Sequence, residues 1–209
     1  MSADTDVRVI TFSGALLDVD LVLDNIFDFA SPGTLFCFKR TCKRAKTAVE
    51  SYFRRAFNIN RHLSQFFDNP HDFRSLQART CTLISGSNAL QFFNRVRYEG
   101  SDLDLYAYYE HRLEVGHWLI RNGFAFQPAS WQNEDFDIAS RNCKHTSEPD
   151  PPGERLKYHT QGVIAVFTFT KDHPEEEDAE LKVQVVVALK APMDVIMDFH
   201  SSKPFSHRS

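Results

Sequence analysis

Thr82-Leu83-Ile84-Ser85-Gly86-Ser87-Asn88-Ala89-Leu90-Gln91-Phe92-Phe93, followed after a short polar connection by Ser101-Asp102-Leu103-Asp104-Leu105-Tyr106, is the stretch whose reading decides the fold. An apolar strand leads into a small-residue turn, a helix is expected from Asn88, and a second strand carries carboxylates at i and i+2. Side chains alternate across a strand, so Asp102 and Asp104 share one face while Leu103 and Leu105 take the other; Tyr106 is expected with the leucines on the core side. Two carboxylates aimed at one spot suit Mg²⁺, which takes hard oxygen ligands and is usually held by one or two carboxylates plus substrate phosphates. Gly86 allows backbone to approach a phosphate closely, Ser87 supplies a hydroxyl, and the free N–H groups opening the helix favour an anion.

The order Gly86-Ser87 then Asp102-Leu103-Asp104 resembles the signature of the nucleotidyltransferase superfamily, the group that includes DNA polymerase β-like enzymes. The resemblance runs from about Ser75 to Phe199, with a long spacer between its two halves. It implies a mixed sheet with helices, and a site in which Asp102 and Asp104 hold Mg²⁺ and Ser87 positions the outer phosphates of a nucleoside triphosphate. An acceptor hydroxyl would then attack the α-phosphate. It also implies a third carboxylate on a later strand. The candidate strand is Leu181–Leu189, where alternation groups Lys182, Gln184 and Val186 opposite Leu181, Val183, Val185 and Val187. The position expected to be acidic is therefore Gln184, and Glu180 reaches the site only if the strand starts early. A neutral amide does not replace a carboxylate in holding metal, so the expectation is nucleotide binding with catalysis impaired.

The N-terminal part reads differently. Leu16–Phe29 shows helical spacing through Leu23, Ile26 and Phe27, and Ser31-Pro32 has the form of a helix start, with Ser as cap and Pro at the first position. From there Leu35, Phe38, Cys42, Ala45, Val49, Tyr52 and Phe53 make one apolar stripe, with Lys39, Arg40, Lys43, Arg44 and Lys46 mostly off it. Leu16 to about Phe57 resembles an F-box, although the usual Leu-Pro opening is absent. That resemblance implies docking onto a Skp-type adaptor of a cullin ubiquitin ligase through Leu16, Leu17, Ile26, Phe27, Leu35 and Cys42. The alternative is a helical packing segment. The two features together also resemble a group of fungal proteins of uncharacterised function.

Composition bounds these readings. The chain has 209 residues, 42% of them hydrophobic, and 19 Phe, enough for a strongly aromatic core. A net charge of −4 argues against general nucleic-acid binding, and the aromatics near the basic helix face lie on its apolar stripe. Cys37, Cys42, Cys81 and Cys143 lack zinc-ligand spacing and are expected as free thiols. Met1–Asp6 does not resemble a signal peptide and no apolar run is long enough to span a bilayer, so an intracellular protein, cytoplasmic or nuclear, is expected.

The domain plan expected is a tail over 1–15, a small all-α, F-box-like segment and connector over 16–69, an α+β or α/β nucleotidyltransferase-like domain with a mixed sheet over 70–200, and a tail over 201–209. Val7–Phe12 is at most a short strand. The connector holds two short helices broken at Asp68-Asn69-Pro70, with Leu63, Phe66, Phe67, Phe73 and Leu76 packing it onward. Later elements are a helix over Glu110–Asn122 ending at Gly123, an irregular or short-helical Phe124–Ile138, and a Pro-rich, poorly ordered Cys143–Gly153. A hairpin then joins Gly162–Thr170 to Leu181–Leu189 through an acidic loop, and a helix opens at Pro192. Trp118 is expected in the core, and His111 and His117, six apart, lie on different helix faces. Three functions stay open: a nucleotide-binding protein, an adaptor-docking interaction protein, and a domain in which Asp102 and Asp104 are only exposed polar residues.

Overall fold

A computed structural model describes residues 20–98, 100–143, 162–173 and 179–200. The expectations placed on Val7–Phe12, Leu16, Leu17, most of Cys143–Gly153, the middle of the acidic loop and the C-terminal tail fall outside these residues. The chain forms two compact units that divide between Ile59 and Asn60, so residues 60–69 of the expected connector belong to the second unit.

The first unit is helical, with α1 at Asp20–Asp28, α2 at Pro32–Phe38 and α3 at Lys43–Ala56. Ser31 caps α2 by accepting the Thr34 N–H at 3.1 Å, with Pro32 at the first helical position, as expected. The apolar stripe is not one helix: the chain turns after Phe38, and the Cys42 sulfur caps α3 by accepting the Ala45 N–H. Cys42 is therefore an exposed cap rather than a core residue. Leu23 and Phe27 of α1 pack with Leu35, Ala48, Val49 and Tyr52, and the Phe27 and Tyr52 rings meet edge to face at 5.3 Å. At the rim, the Tyr52 hydroxyl donates to Asp28 at 2.7 Å and the Arg55 guanidinium forks onto both carboxylate oxygens of Asp24.

The second unit is α+β. Its elements are α4 (Ile59–Leu63, whose first residue precedes the division), α5 (Pro70–Thr80), β1 (Leu83–Ser85), α6 (Gly86–Asn94), β2 (Leu103–Tyr108), a 3₁₀ turn (Tyr109–His111), α7 (Arg112–Arg121), β3 (Ala125–Gln127), α8 (Phe136–Asn142), β4 (Val163–Asp172), β5 (Glu180–Ala188) and α9 (Pro192–His200). The strands form one five-stranded mixed sheet in the order β1-β2-β5-β4-β3. β2 and β5 run parallel, and the other neighbours are antiparallel. The β4–β5 hairpin is as expected. The stretch expected to be irregular or short-helical, Phe124–Ile138, holds β3 and the start of the short helix α8: Phe126 pairs with Phe169 across the β3–β4 ladder, and the Asp135 carboxylate caps α8 by accepting the Ile138 N–H at 3.0 Å.

The sheet's two faces follow from its register. Leu103, Leu105, Val183, Val185, Phe167 and Phe169 share one face and are fully buried or nearly so. Phe67, Phe73, Trp118 and Phe124 form a separate set of ring contacts, with Phe67 and Phe73 stacked at 4.4 Å. Trp118 is buried, as expected, and its indole N–H donates to Asp72 at 2.8 Å. The opposite face is divided lengthwise. Asp102, Asp104, Lys182 and Gln184 occupy one end, while Tyr106, Val186 and Ala188 at the other pack with Val195 of α9. Tyr106 is buried, but strict alternation puts it on the carboxylate face, not with the leucines.

Gly116 marks the tightest approach of α7 to α8. A Cβ there would lie 2.1 Å from Cζ of Phe136, whose ring is held by Phe126, Phe167 and Phe169. Glycine to alanine inside a helix ordinarily stabilises by about 1 kcal/mol. Gly116→Ala is expected to do the reverse, destabilising by about 1–3 kcal/mol in urea unfolding, because the ring has nowhere to go. Adding Phe136→Leu is expected to recover part of that loss relative to Phe136→Leu alone.

Candidate functional site

The turn between β1 and α6 and the start of β2 come together because β1 and β2 pair antiparallel with Ser85 opposite Asp104. α6 starts directly at Gly86, two residues before the expected start at Asn88. Gly86 has φ +73°, a left-handed conformation that glycine adopts without penalty. It also makes room, since a Cβ there would lie 2.0 Å from Oδ2 of Asp104 and would displace that carboxylate. The glycine that the sequence assigns to phosphate approach is thus first a seat for a carboxylate.

The second half of the site comes from β5. In the parallel β2–β5 pairing Asp104 is opposite Gln184 and Leu103 opposite Val183, which places Lys182 beside Asp102. Lys182 Nζ lies 2.8 Å from Oδ2 of Asp102, and both side chains remain partly open to solvent at 39% and 33%. On the far side Thr168 pairs with Gln184 and Thr170 with Lys182. Gln184 therefore occupies the position expected to be acidic. β5 does start early, at Glu180, which shares the face, but Glu180 is exposed and lies two residues beyond Lys182, about 7 Å along the strand.

Gln91, whose role the sequence did not reveal, fixes the connection that leads back to β2. Its buried side chain donates to the Ser101 hydroxyl at 2.5 Å and accepts the Tyr98 N–H at 2.7 Å. Ser101 in turn lies 3.2 Å, hydroxyl to hydroxyl, from Ser87. The first turn of α6 is anchored from beneath, because the buried Asn88 accepts a 2.7 Å hydrogen bond from His62. Gln91 is four residues after Ser87, so helical spacing alone puts the two on one side of α6. Lys182 was grouped with Gln184 by alternation, but its ion pair depends on a strand register that alternation does not supply.

The electrostatics follow from this crowding. Burial, reinforced by the negative charge of Asp102 and opposed by Lys182, pushes the Asp104 carboxyl up to about 6. Burial and the charge of Asp104 push the Tyr106 phenol up to about 12. The Asp104 carboxyl is thus held up chiefly by its loss of solvent, with the neighbouring carboxylate adding repulsion that Lys182 only partly offsets.

The donor chemistry was compared with what Mg²⁺ requires. Asp102 and Asp104 present hard oxygens on one face, and the Gly86 cradle keeps the space against Asp104 free of a side chain. No group of three or more His, Cys, Asp or Glu side chains able to hold a metal occurs among the described residues. The residues present fit one divalent ion whose shell is completed by water or phosphate, not a protein cage for two. No family model, curated protein or solved structure matches this chain.

The adaptor positions are dispersed. Phe27 and Leu35 are buried within the first unit's own core, while Ile26 is exposed. No helix among the described residues is long and apolar enough to cross a membrane.

The raised Asp104 carboxyl makes a signed prediction. Its folded value lies above the ordinary 3.8, so the folded state holds the proton more tightly than the unfolded one. Its contribution to stability is complete below about pH 4 and is lost as pH rises through about 6. Asp104→Asn is therefore expected to match the wild type at pH 4 and to exceed it at pH 8. The difference is on the order of 1 kcal/mol, reduced by the group's partial exposure. Urea unfolding across that range checks it, and a gap constant with pH would contradict it.

Proposed function

We propose that the second unit is a nucleotidyltransferase-type domain that binds a magnesium nucleoside triphosphate at Gly86, Ser87, Asp102 and Asp104, with nucleotidyl transfer impaired. The observation that carries the proposal is the contact between the Gly86 backbone and the Asp104 carboxylate, which brings a helix start and a carboxylate pair to one spot. Mg²⁺ bound there would neutralise the pair and supply Lewis-acid stabilisation of phosphate charge. Asp102 and Asp104 hold the cation, Ser87 and the opening N–H groups of α6 face the phosphates, and Asn88 and Gln91 keep the helix in place. Gln184, where a third carboxylate would stand, supports binding over turnover.

A second reading is favoured by one observation on the first unit. Val22 and Ile26 on α1, with Phe29 in the turn just past its end, are spaced at i, i+4 and i+7 and are all exposed, Phe29 at 94%. They form an outward apolar stripe beside the inward one of Leu23 and Phe27. Such a stripe supports docking of a protein partner, the Skp-type adaptor being the one the F-box resemblance implies.

Calorimetric titration of ATP and GTP with Mg²⁺ tests the first reading. Saturable heat is expected from the wild type and none from Asp102→Ala/Asp104→Ala, with the fold of both confirmed by circular dichroism. No heat from the wild type, or equal heat from both, contradicts it. For the second reading, Ile26→Asp/Phe29→Asp is expected to abolish capture by a purified Skp-type adaptor without changing nucleotide heat; capture unaffected by the substitutions contradicts docking through this stripe.

A further inference from the structure

We propose that Lys182 is a built-in counter-ion of the carboxylate pair, so that a divalent cation enters the site only together with a phosphate ligand that takes Lys182 over. The inference rests on the nucleotide reading above and adds the condition under which that site accepts metal. Lys182 projects from β5, the central strand, with β2 on one side and β4 on the other, so its backbone cannot withdraw. Its ammonium is 2.8 Å from Asp102 and its charge also acts on Asp104, so it already supplies positive charge where a metal would bind.

A divalent cation approaching Asp102 meets this fixed charge and has to displace it. The displaced ammonium keeps three donors and no acceptor of its own. Its register neighbours on the same face toward the site, Gln184, Thr168 and Thr170, carry no negative charge, while the acids of that face, Glu180 and its partner Asp172, stand on the other side of Lys182, about 7 Å along the strand and away from Asp104. On the side of the site, an anion of the ligand is then the partner that restores the balance, and the side chain is open enough to reach one. Phosphate oxygens bound beside Ser87 and the start of α6 meet that need, and they complete the cation's shell as well. Cation and phosphate are thereby linked: each makes room for the other, and neither binds well alone.

The linkage predicts effects of opposite sign from one substitution. Lys182→Met keeps the stem and removes the charge. Manganese ion alone, followed by electron paramagnetic resonance, is expected to bind the variant about tenfold or more tightly than the wild type. Magnesium ATP, followed by calorimetry, is expected to bind the variant about tenfold more weakly. Lys182→Arg is expected to keep the wild-type order in both titrations, and Lys182→Gln repeats the test if the methionine variant does not fold. A lysine that only braces the strand would move both affinities in the same direction or neither. Manganese affinity unchanged or weaker in both neutral variants overturns the counter-ion role. Tighter manganese with unchanged magnesium ATP overturns the handover to phosphate. A wild type that binds no nucleotide overturns the nucleotide reading and the handover with it, while the manganese comparison still decides the counter-ion role.

Discussion

The site depends on the closeness of Gly86 to Asp104. The β1–β2 pairing sets Ser85 opposite Asp104, and one residue later the chain must start a helix in space that the Asp104 carboxylate already occupies. Glycine meets both demands: it takes the positive φ without penalty and leaves the Asp104 carboxylate where it is, whereas a Cβ would have to push that carboxylate aside. The consequence is chemical as well as steric. The carboxylate is partly desolvated beside a second one, and its proton affinity rises accordingly. Folding thus leaves a negative charge poorly compensated at neutral pH, the state that a cation or a cation-bound ligand would relieve.

Lys182 explains how the fold tolerates that charge. Charge left unpaired on a partly buried face is costly, and a lysine on the central strand neutralises Asp102 without filling the site. The arrangement differs from a three-carboxylate cage in two places, with an amide at Gln184 and an ammonium at Lys182. Both changes reduce the negative charge available to hold bare metal. Tyr106 and Val186 close the other end of the same face against α9, which confines the polar site to one end of the sheet.

Much of this was legible in the sequence because strand parity is a strict rule. Alternation alone put Asp102 with Asp104 and Lys182 with Gln184, and the cap signal at Ser31-Pro32 marks a real helix start; Asp68-Asn69-Pro70, read only as a break, holds another, with Asn69 as the cap. The misplacement of Tyr106 came from weighing its hydrophobicity over its parity. β3 escaped because a strand of three residues, lying between Gly123 and Pro128, has too little length to show a period; its existence depends on Phe126 meeting Phe169. α8 answers to the short-helical reading of Phe124–Ile138, but its start at the Asp135 cap and its extension to Asn142 were not marked off from the polar surroundings. The break between α2 and α3 was hidden because cysteine is an unusual helix cap. The Lys182 ion pair and the Gln91 bridge required registers between segments far apart in sequence, which no local pattern contains.

The central claim, that burial beside Asp102 holds the Asp104 carboxyl well above the ordinary range at the proposed cation site, is tested most directly by a carbon-detected nuclear magnetic resonance titration of the aspartate carboxyls. Asp104→Asn would assign the signal. The account predicts that the Asp104 carboxyl titrates near 6 in the free protein, and that saturating magnesium ATP moves its midpoint well below that value. An Asp104 that titrates in the ordinary carboxylate range, or one whose midpoint magnesium ATP leaves unmoved, would contradict it.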